Sequence, residues 1–164
     1  MRIFLIANNT NISYNKIKKF NNKFIIDDND KIIRFNGCKQ LNILNGKTTD
    51  VIFRCDNNGF QGIDNNHMIK NKYIRHIKKN INISMIMWVD EPLSSQNKKI
   101  SEMKKIQKFN NIKIHNIIPL SKENIKITEK SPSSGFAVLL YYLKKFPDAE
   151  IILLGFTFYN GVNN

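Results

Sequence analysis

Short apolar runs alternate along the chain with stretches in which apolar residues recur every three or four positions. The short runs predict β-strands, at residues 3–7, 24–26, 31–35, 50–55, 81–89, 113–118 and 150–154. The periodic stretches predict helices, at residues 13–20, 65–80, 96–109 and 133–146. Strands that alternate with helices are typical of an α/β fold, and we predict a Rossmann-like, mainly parallel sheet flanked by helices.

No internal repeat and no shift of composition marks a boundary inside the chain, so we expect residues 1–164 to form one domain. The last predicted strand ends at Leu154, and the few residues after it leave little room for the second half of a doubly wound sheet. We therefore expect the domain to lack C-terminal elements.

The composition suits a globular protein with a strong positive charge. Of the 164 residues, 41% are hydrophobic, which is too many for a disordered chain, and the net charge is +13. The basic residues are 22 lysines and only four arginines, and with 25 asparagines they match the amino acids of A/T-rich codons. Part of the charge is therefore a compositional bias, because a protein selected for phosphate contacts uses arginine more often. The remaining charge favours acidic ligands and anionic surfaces.

Several features bear on where the protein acts. Cys38 and Cys55 are too few for a disulfide scaffold or a zinc site, and we expect both to be buried free thiols in a cytoplasmic protein. The apolar stretch at residues 3–7 is too short for a signal peptide, and no run approaches the roughly 20 apolar residues of a membrane span. Lysines on one side of the predicted helix 96–109 are expected to be solvated, where they would suit peripheral contact with an anionic membrane (Lys98, Lys99, Lys104, Lys105 and Lys108).

Polar turns lie at the ends of several predicted strands and before one helix. They are residues 8–10, 36–37, 56–59 and 131–135, the last of which opens the helix 133–146. In an open α/β sheet, ligands bind beyond the carboxyl ends of the strands, so these turns could share one crevice. The alternative is that these residues are polar only because strand ends face solvent.

The segment that opens the helix 133–146 is typical of an anion-binding helix terminus. The first N–H groups of a helix have no partner inside it and carry partial positive charge, and Gly135 would let a ligand approach the backbone. The simpler interpretation is that Ser131 or Ser133 only caps the helix. The chain has no Walker motif and no Gly-x-Gly-x-x-Gly after the first strand, which argues against a P-loop NTPase and a nicotinamide dinucleotide site.

Two pairs of segments resemble the sialylmotifs of animal-type sialyltransferases. Residues 30–36 (DKIIRFN) with 46–51 (GKTTDV) resemble the large sialylmotif, and residues 132–136 (PSSGF) with 154–158 (LGFTF) resemble the small one. The turn after the first strand (IANNT) is similar to that of these enzymes and of bacterial lipooligosaccharide sialyltransferases, although Asn8 and Thr10 stand where small residues are usual.

The resemblance implies an inverting, metal-independent transfer of sialic acid from CMP-sialic acid to a hydroxyl of an acceptor glycan, with no other cofactor and no specific nucleic acid. It implies that Asn9 and Asn36 contact the nucleotide. It also implies that the helix start at Ser133, Ser134 and Gly135 holds the phosphate or the sialic acid carboxylate. Other residues at the strand ends are further candidates for donor binding (Asn8, Asp56, Asn57, Gly155 and Thr157).

The resemblance assigns no catalytic residue in this chain. The family uses a histidine after the small motif as general base, whereas His67, His76 and His115 all precede Gly135. We therefore expect the chain to form part of the donor site and to turn over poorly or not at all. The alternatives are another nucleotide-sugar transferase, or a non-catalytic basic module that binds nucleic acid or an anionic surface.

Overall fold

The computed structural model describes residues 1–8, 11–56, 59–70, 81–121 and 133–156. The strands in these ranges are β1 (Arg2–Ile6), β2 (Lys31–Phe35), β3 (Asp50–Asp56), β4 (Gly59–Phe60), β5 (Asn82–Trp88), β6 (Ile114–Leu120) and β7 (Glu150–Leu154). The helices are α1 (Tyr14–Lys23), α2 (Leu93–Asn110) and α3 (Ser134–Lys145), with a short 3-10 turn at Ile43–Gly46.

Six strands form one parallel sheet in the order β6-β5-β3-β2-β1-β7. The two-residue strand β4 pairs antiparallel with the end of β3. The chain adds strands outward from β1 to β6 and then returns through α3 to place β7 on the other side of β1. This arrangement confirms the predicted α/β, Rossmann-like fold.

Side chains of the sheet point alternately to two faces, and helices cover both. Val138 and Tyr142 of α3 pack on one face, against a cluster of strand residues (Ile3, Leu5, Ile33, Phe35, Ile52, Ile86, Ile118 and Leu120). On the other face, Ile17 of α1 packs over β1 and β2, while Met103 and Ile106 of α2 pack over β3 and β5. The apolar stripes that predicted these helices are therefore the surfaces that cover the sheet.

Two of the helices begin after a serine cap. The Ser13 hydroxyl accepts a hydrogen bond from the Lys16 amide at 3.4 Å, and the Ser133 hydroxyl accepts one from the Phe136 amide at 3.2 Å. Each bond satisfies one of the amides that a helix leaves without an internal partner. The predicted starts of α1 and α3 are confirmed within one residue.

The predicted strand at residues 24–26 is wrong. Phe24 lies at the C-terminal cap of α1, and its ring packs edge-on against Phe4 with centroids 5.2 Å apart. Ile25 is 87% exposed, and its carbonyl accepts a hydrogen bond from the Arg2 guanidinium at 2.7 Å. The segment therefore closes one end of the sheet instead of pairing with it.

The predicted helix at residues 65–80 is wrong over its described part, residues 65–70, and the rest lies outside the described residues. Asp64 folds this part into a turn, because its carboxylate accepts hydrogen bonds from the amides two and four residues later. Ile69 then pairs with Ile63 in an isolated antiparallel bridge. A short acidic side chain thus takes the amides that a helix would have used.

The helix α2 starts three residues earlier than predicted. The Gln96 side chain donates to the carbonyls of Val89 and Glu91 at 3.0 and 2.8 Å, which ties the preceding loop to the first turn. Lys99 is buried and forms an ion pair with Glu91. The expectation that Lys99 is solvated is therefore wrong, because a long aliphatic stem can lie along apolar surface and place its ammonium beside a carboxylate.

The state of the two cysteines and the character of the helices can be compared with the predictions of buried free thiols and of no membrane span. Cys38 and Cys55 are buried free thiols, as predicted. Burial raises the pKa of the Cys38 thiol to about 12, although the nearby Arg34 charge acts in the opposite direction. Among the residues that the structure describes, no helix combines the length and the apolar character that crossing a membrane requires.

Candidate functional site

The reversal of strand order marks the place where a ligand would bind. β1 connects through α1 to β2 across one face of the sheet, whereas α3 crosses the other face before β7. The connections diverge between β1 and β7, and open α/β sheets bind ligands outside the carboxyl ends of strands at such a switch point. The Ala7 amide donates to the Leu154 carbonyl at 2.9 Å and holds the two ends together. Asn8 and Gly155 follow directly, so two predicted site residues lie at the switch point.

The N-terminus of α3 lies at the same edge of the sheet, because α3 follows β6 and leads back to the start of β7. Ser133 caps it: the hydroxyl accepts from the Phe136 amide, and the carbonyl accepts from the Ala137 amide at 3.0 Å. The amides of Ser134 and Gly135 have no acceptor among the described residues. Two N–H groups with partial positive charge therefore precede the first bonded turn, beside a serine that also caps the helix.

Phe156 joins α3 to the switch point, and sequence reasoning missed it. A Cβ atom built on Gly135 would lie 2.4 Å from Phe156 Cε1, so the aromatic ring takes the space that we assigned to a ligand on that side of the glycine. The same ring packs edge-on against Phe35 at the end of β2, with centroids 6.5 Å apart. Phe156 thus connects the ends of β2 and β7 with the start of α3. Its signal in the sequence is the Gly155-Phe156 pair directly after a predicted strand.

Gly155 has a conformational role at the switch point. Its φ of +72° lies in the left-handed region, where side chains are strained. An added Cβ would also lie 2.6 Å from Ile12 Cδ1. Glycine therefore lets the chain that enters α1 pack closely against the end of β7.

Asn8 closes the end of the sheet between β1 and β2. Its Nδ2 donates to the Phe35 carbonyl at 2.8 Å, and its Oδ1 accepts from the Lys39 amide at 3.0 Å. Both ends of the side-chain amide thus bond within the chain, and a ligand could bond to the second hydrogen on Nδ2 or to the second lone pair of Oδ1.

Asn36 is engaged in a similar way. Its φ of 49° is left-handed, a conformation that asparagine adopts more readily than most residues. Its Oδ1 accepts from the Arg54 amide at 2.9 Å, and its Nδ2 donates to Gln61 Oε1 at 2.9 Å. These bonds tie the end of β2 to β3 and to the residue after β4. Asn36 therefore holds the strand ends in place, and a ligand could still bond to its second amide hydrogen or to the second lone pair of its Oδ1.

Of the four remaining residues that were predicted to lie at the site, the structure describes only Asp56. Asp56 ends β3 at the carboxyl edge, where it is paired with Gly59. Asn9, Asn57 and Thr157 lie outside the described residues. The candidates that the structure describes therefore share one edge of the sheet.

Arg34 is a second important residue that sequence reasoning missed. It is 1% exposed, and its Nε donates to Thr48 Oγ1 at 2.8 Å. The guanidinium also donates to three carbonyls of the loop between β2 and β3, at 2.5 to 3.1 Å (Gln40, Ile43 and Lys47). Arg34 and Thr48, from the segments at residues 30–36 and 46–51, thus bond to each other, and they hold the loop in shape.

The described histidines do not supply a general base at this edge. His67 lies 3.3 Å from Glu102 and stacks on Phe109 near the C-terminal end of α2, and His115 is exposed on β6. His76 lies outside the described residues. Within the described ranges there is no group of three or more His, Cys, Asp or Glu residues that could hold a metal ion.

Comparisons with known proteins assign no family to this chain, so its class is defined by the fold and the local geometry. No family model, no curated protein and no solved structure matches the chain. The class that the structure defines is an α/β, Rossmann-like protein whose described candidate residues gather at the carboxyl edge of one parallel sheet.

Proposed function

We propose that this chain is the nucleotide-sugar-binding part of a sialyltransferase-like glycosyltransferase, which transfers sialic acid from CMP-sialic acid to a glycan hydroxyl. The observation that carries the proposal is the contact between Gly135 and Phe156, because it joins the start of α3 to the switch point between β1 and β7. Outward amides at that place can hold an anion where open α/β sheets bind nucleotides. The resemblance to the sialylmotifs lies in these same segments and supports the proposal.

The chemistry of the donor suits such a place. CMP-sialic acid carries a phosphate and a carboxylate, and the chain has a net charge of +13. When the bond between the sugar and the phosphate breaks, positive charge develops on the sugar ring and negative charge grows on the departing CMP. The amides of Ser134 and Gly135 are held by the helix and would stabilise that negative charge without rearranging. The acceptor hydroxyl must also lose a proton, and we assign no described residue to that step.

A second candidate is a non-catalytic module that binds nucleic acid or an anionic surface, and the net charge of +13 favours it. Such binding uses many phosphate contacts and weakens steeply as salt is added. A single nucleotide held in the crevice uses few charged contacts, so its affinity falls much less with salt. Titrations at two salt concentrations therefore separate the two candidates.

The sharpest test removes one backbone amide at the start of α3. Ser134 is the first helical residue, a position that proline accepts, and Ser133 before it has φ −62° and ψ 155°, which proline also allows. The Ser134→Pro variant therefore loses one N–H group and keeps the helix. Ser134→Ala is the matched control, because it loses the hydroxyl and keeps the N–H.

The assays are thermal shift with CMP against AMP, and calorimetric titration with CMP-sialic acid. We expect CMP to stabilise the wild-type chain more than AMP does. We expect Ser134→Pro to weaken donor binding about tenfold to a hundredfold, since a hydrogen bond to a charged group contributes about 1.5–3 kcal/mol. Ser134→Ala should weaken it much less. A wild-type chain that does not bind the donor, or a Ser134→Pro variant that binds it as tightly as wild type, contradicts the proposal.

A further inference from the structure

A cavity of about 650 Å³ lies between α1 and the loop at residues 41–46, on the face of the sheet opposite α3. Its volume is within the usual range for small-molecule sites, about 300–1,000 Å³. Ile17 and Leu41 form an apolar part of the lining, and the ring of Tyr14, which is 77% exposed, stands at its side. The site is not one of the strand-end turns that the sequence singled out.

The loop that forms one wall of the cavity contains three consecutive residues in the left-handed region, of which Leu44 is the strained one. Leu44, Asn45 and Gly46 follow one another with φ of 52°, 51° and 77°, all in the left-handed region. A leucine in this region is disfavoured because its Cβ approaches the following carbonyl. Backbone of this kind persists only where surrounding contacts hold it, and it is concentrated at ligand sites.

Side chains on two sides hold this wall in place. The Oδ1 of Asn21 in α1 accepts from the Leu44 amide at 2.6 Å, and its Nδ2 donates to the Asn42 carbonyl and to Asn45 Oδ1, both at 3.0 Å. From the side of the sheet, Arg34 bonds to carbonyls before and after the left-handed residues. The cavity is therefore shaped before any ligand arrives, which lowers the entropy cost of binding.

The lining offers groups that recognise a carbohydrate. Four of its nine residues are asparagines, against 25 of 164 in the whole chain, so the cavity is enriched in asparagine beyond the bias of the composition. Both amide hydrogens of Asn21 are used within the protein. The amides offered to a sugar are therefore those of the other three asparagines (Asn22, Asn42 and Asn45). An amide both donates and accepts hydrogen bonds without net charge, as a sugar hydroxyl does. The Tyr14 ring supplies a flat apolar surface for the C–H face of a sugar ring. Lys18 is the charged residue of the lining, which suits a neutral or an acidic sugar.

The cavity is joined to the switch point by two isoleucines. A Cβ atom built on Gly155 would lie 2.6 Å from Ile12 Cδ1 and 3.7 Å from Ile43 Cδ1. Ile12 stands two residues before Tyr14, and Ile43 directly precedes the left-handed segment. Residues next to the cavity lining, just before α1 and in the loop, therefore pack against the end of β7.

We infer that this cavity binds a carbohydrate and that it holds the acceptor glycan next to the donor crevice. The acceptor role rests on the proposed function, whereas carbohydrate binding by the cavity does not. The ligand class is an oligosaccharide that stacks one ring on Tyr14 and bonds to the asparagine amides.

The test compares three variants of the full chain on a printed array of neutral and acidic oligosaccharides. Tyr14→Ala removes the exposed ring, and Asn42→Ala removes an exposed side chain that makes no capping bond. Lys16→Ala is the control, because Lys16 is exposed on the same helix and does not line the cavity. We expect the wild type to bind a defined set of oligosaccharides, Tyr14→Ala to weaken this binding about tenfold, Asn42→Ala to weaken it as well, and Lys16→Ala to leave it unchanged.

Absence of binding to every oligosaccharide on the array overturns the inference, and so does equal binding by Tyr14→Ala and wild type. Titration of the same proteins with CMP-sialic acid separates this result from the proposed function. If the donor binds and no oligosaccharide does, the inference about the cavity fails alone. If oligosaccharides bind through Tyr14 and the donor does not, the carbohydrate site stands and its acceptor role is overturned.

Discussion

Replacement of Arg34 tests whether the loop between β2 and β3 depends on one buried charge. The Arg34→Met variant keeps a long, flexible side chain and removes the guanidinium, with its bonds to Thr48 Oγ1 and to three carbonyls. We expect a large loss of stability together with a looser loop.

The magnitude follows from two opposing terms. Each hydrogen bond from a charged group contributes about 1.5–3 kcal/mol, so the four bonds total roughly 6–12 kcal/mol. The methionine variant regains the desolvation penalty of the buried cation, which is several kcal/mol. With the low end of the first term and about 3 kcal/mol for the second, the net loss is about 3 kcal/mol, a large part of the roughly 5–15 kcal/mol that stabilises an ordinary domain.

The assay is urea denaturation followed by far-UV circular dichroism. With a slope of about 2 kcal/mol per molar urea, the midpoint should fall by roughly 1.5 M in Arg34→Met. Lys47→Met is the matched control, because it also removes one positive charge but from an exposed side chain in the same loop, and its midpoint should stay close to that of wild type. An Arg34→Met midpoint equal to that of Lys47→Met would refute the reasoning.

Two further predictions concern titratable groups. Burial acts to raise the pKa of Asp30, but hydrogen bonds from Arg2 and from the Asp27 amide, with the Arg2 charge, outweigh it and hold the pKa below its ordinary value. The ionised carboxylate therefore stabilises the fold above about pH 4, and this contribution is lost as the pH falls through the lowered pKa. The urea midpoints of wild type and Asp30→Asn should differ at pH 6, and the difference should shrink as the pH is lowered below about 4; a constant difference would contradict the assignment. Burial raises the pKa of the Cys38 thiol to about 12, so the native thiol should resist iodoacetamide at pH 8. The peptide that contains Cys38 should be labelled only in denaturant. Rapid labelling of the native protein would contradict this prediction and show that the turn after β2 opens.

Local patterns were sufficient for most of the elements. Strands β2 and β7 agree with their predicted bounds to the residue, because each is a short, mostly apolar run followed directly by a residue that favours turns, Asn36 or Gly155. The wrong predictions also have identifiable causes. Phe24 lies in an apolar run typical of a strand, but it forms the C-terminal cap of α1. The Asp64 carboxylate accepts hydrogen bonds from amides that the predicted helix would have used. In both cases specific contacts outweighed the local pattern of apolar residues.

The site was only partly predictable. Ser133 predicts the start of α3 correctly, because a serine cap depends only on residues within the first turn of the helix. The contact between Gly135 and Phe156 joins positions distant in sequence, and no local pattern reports it. Asn36 illustrates the limit most clearly: its place at a strand end was predictable, but whether its amide bonds to the chain or to a ligand depends on Gln61, which only the folded β3–β4 hairpin brings near.

The pairing of β7 with β1 has a consequence for how the chain reaches its native state. Ile3 lies opposite Ile151, so β1 receives one of its two neighbours in the sheet only after the residues up to β7 have been synthesised. Closing so long a loop is slow, and until it closes one side of β1 presents free backbone groups to any other strand. The proposed site, which spans the β1–β7 pair, would therefore form only after this pairing, and a chain halted before residue 150 would leave β1 at an open edge of the sheet, exposed to aggregation.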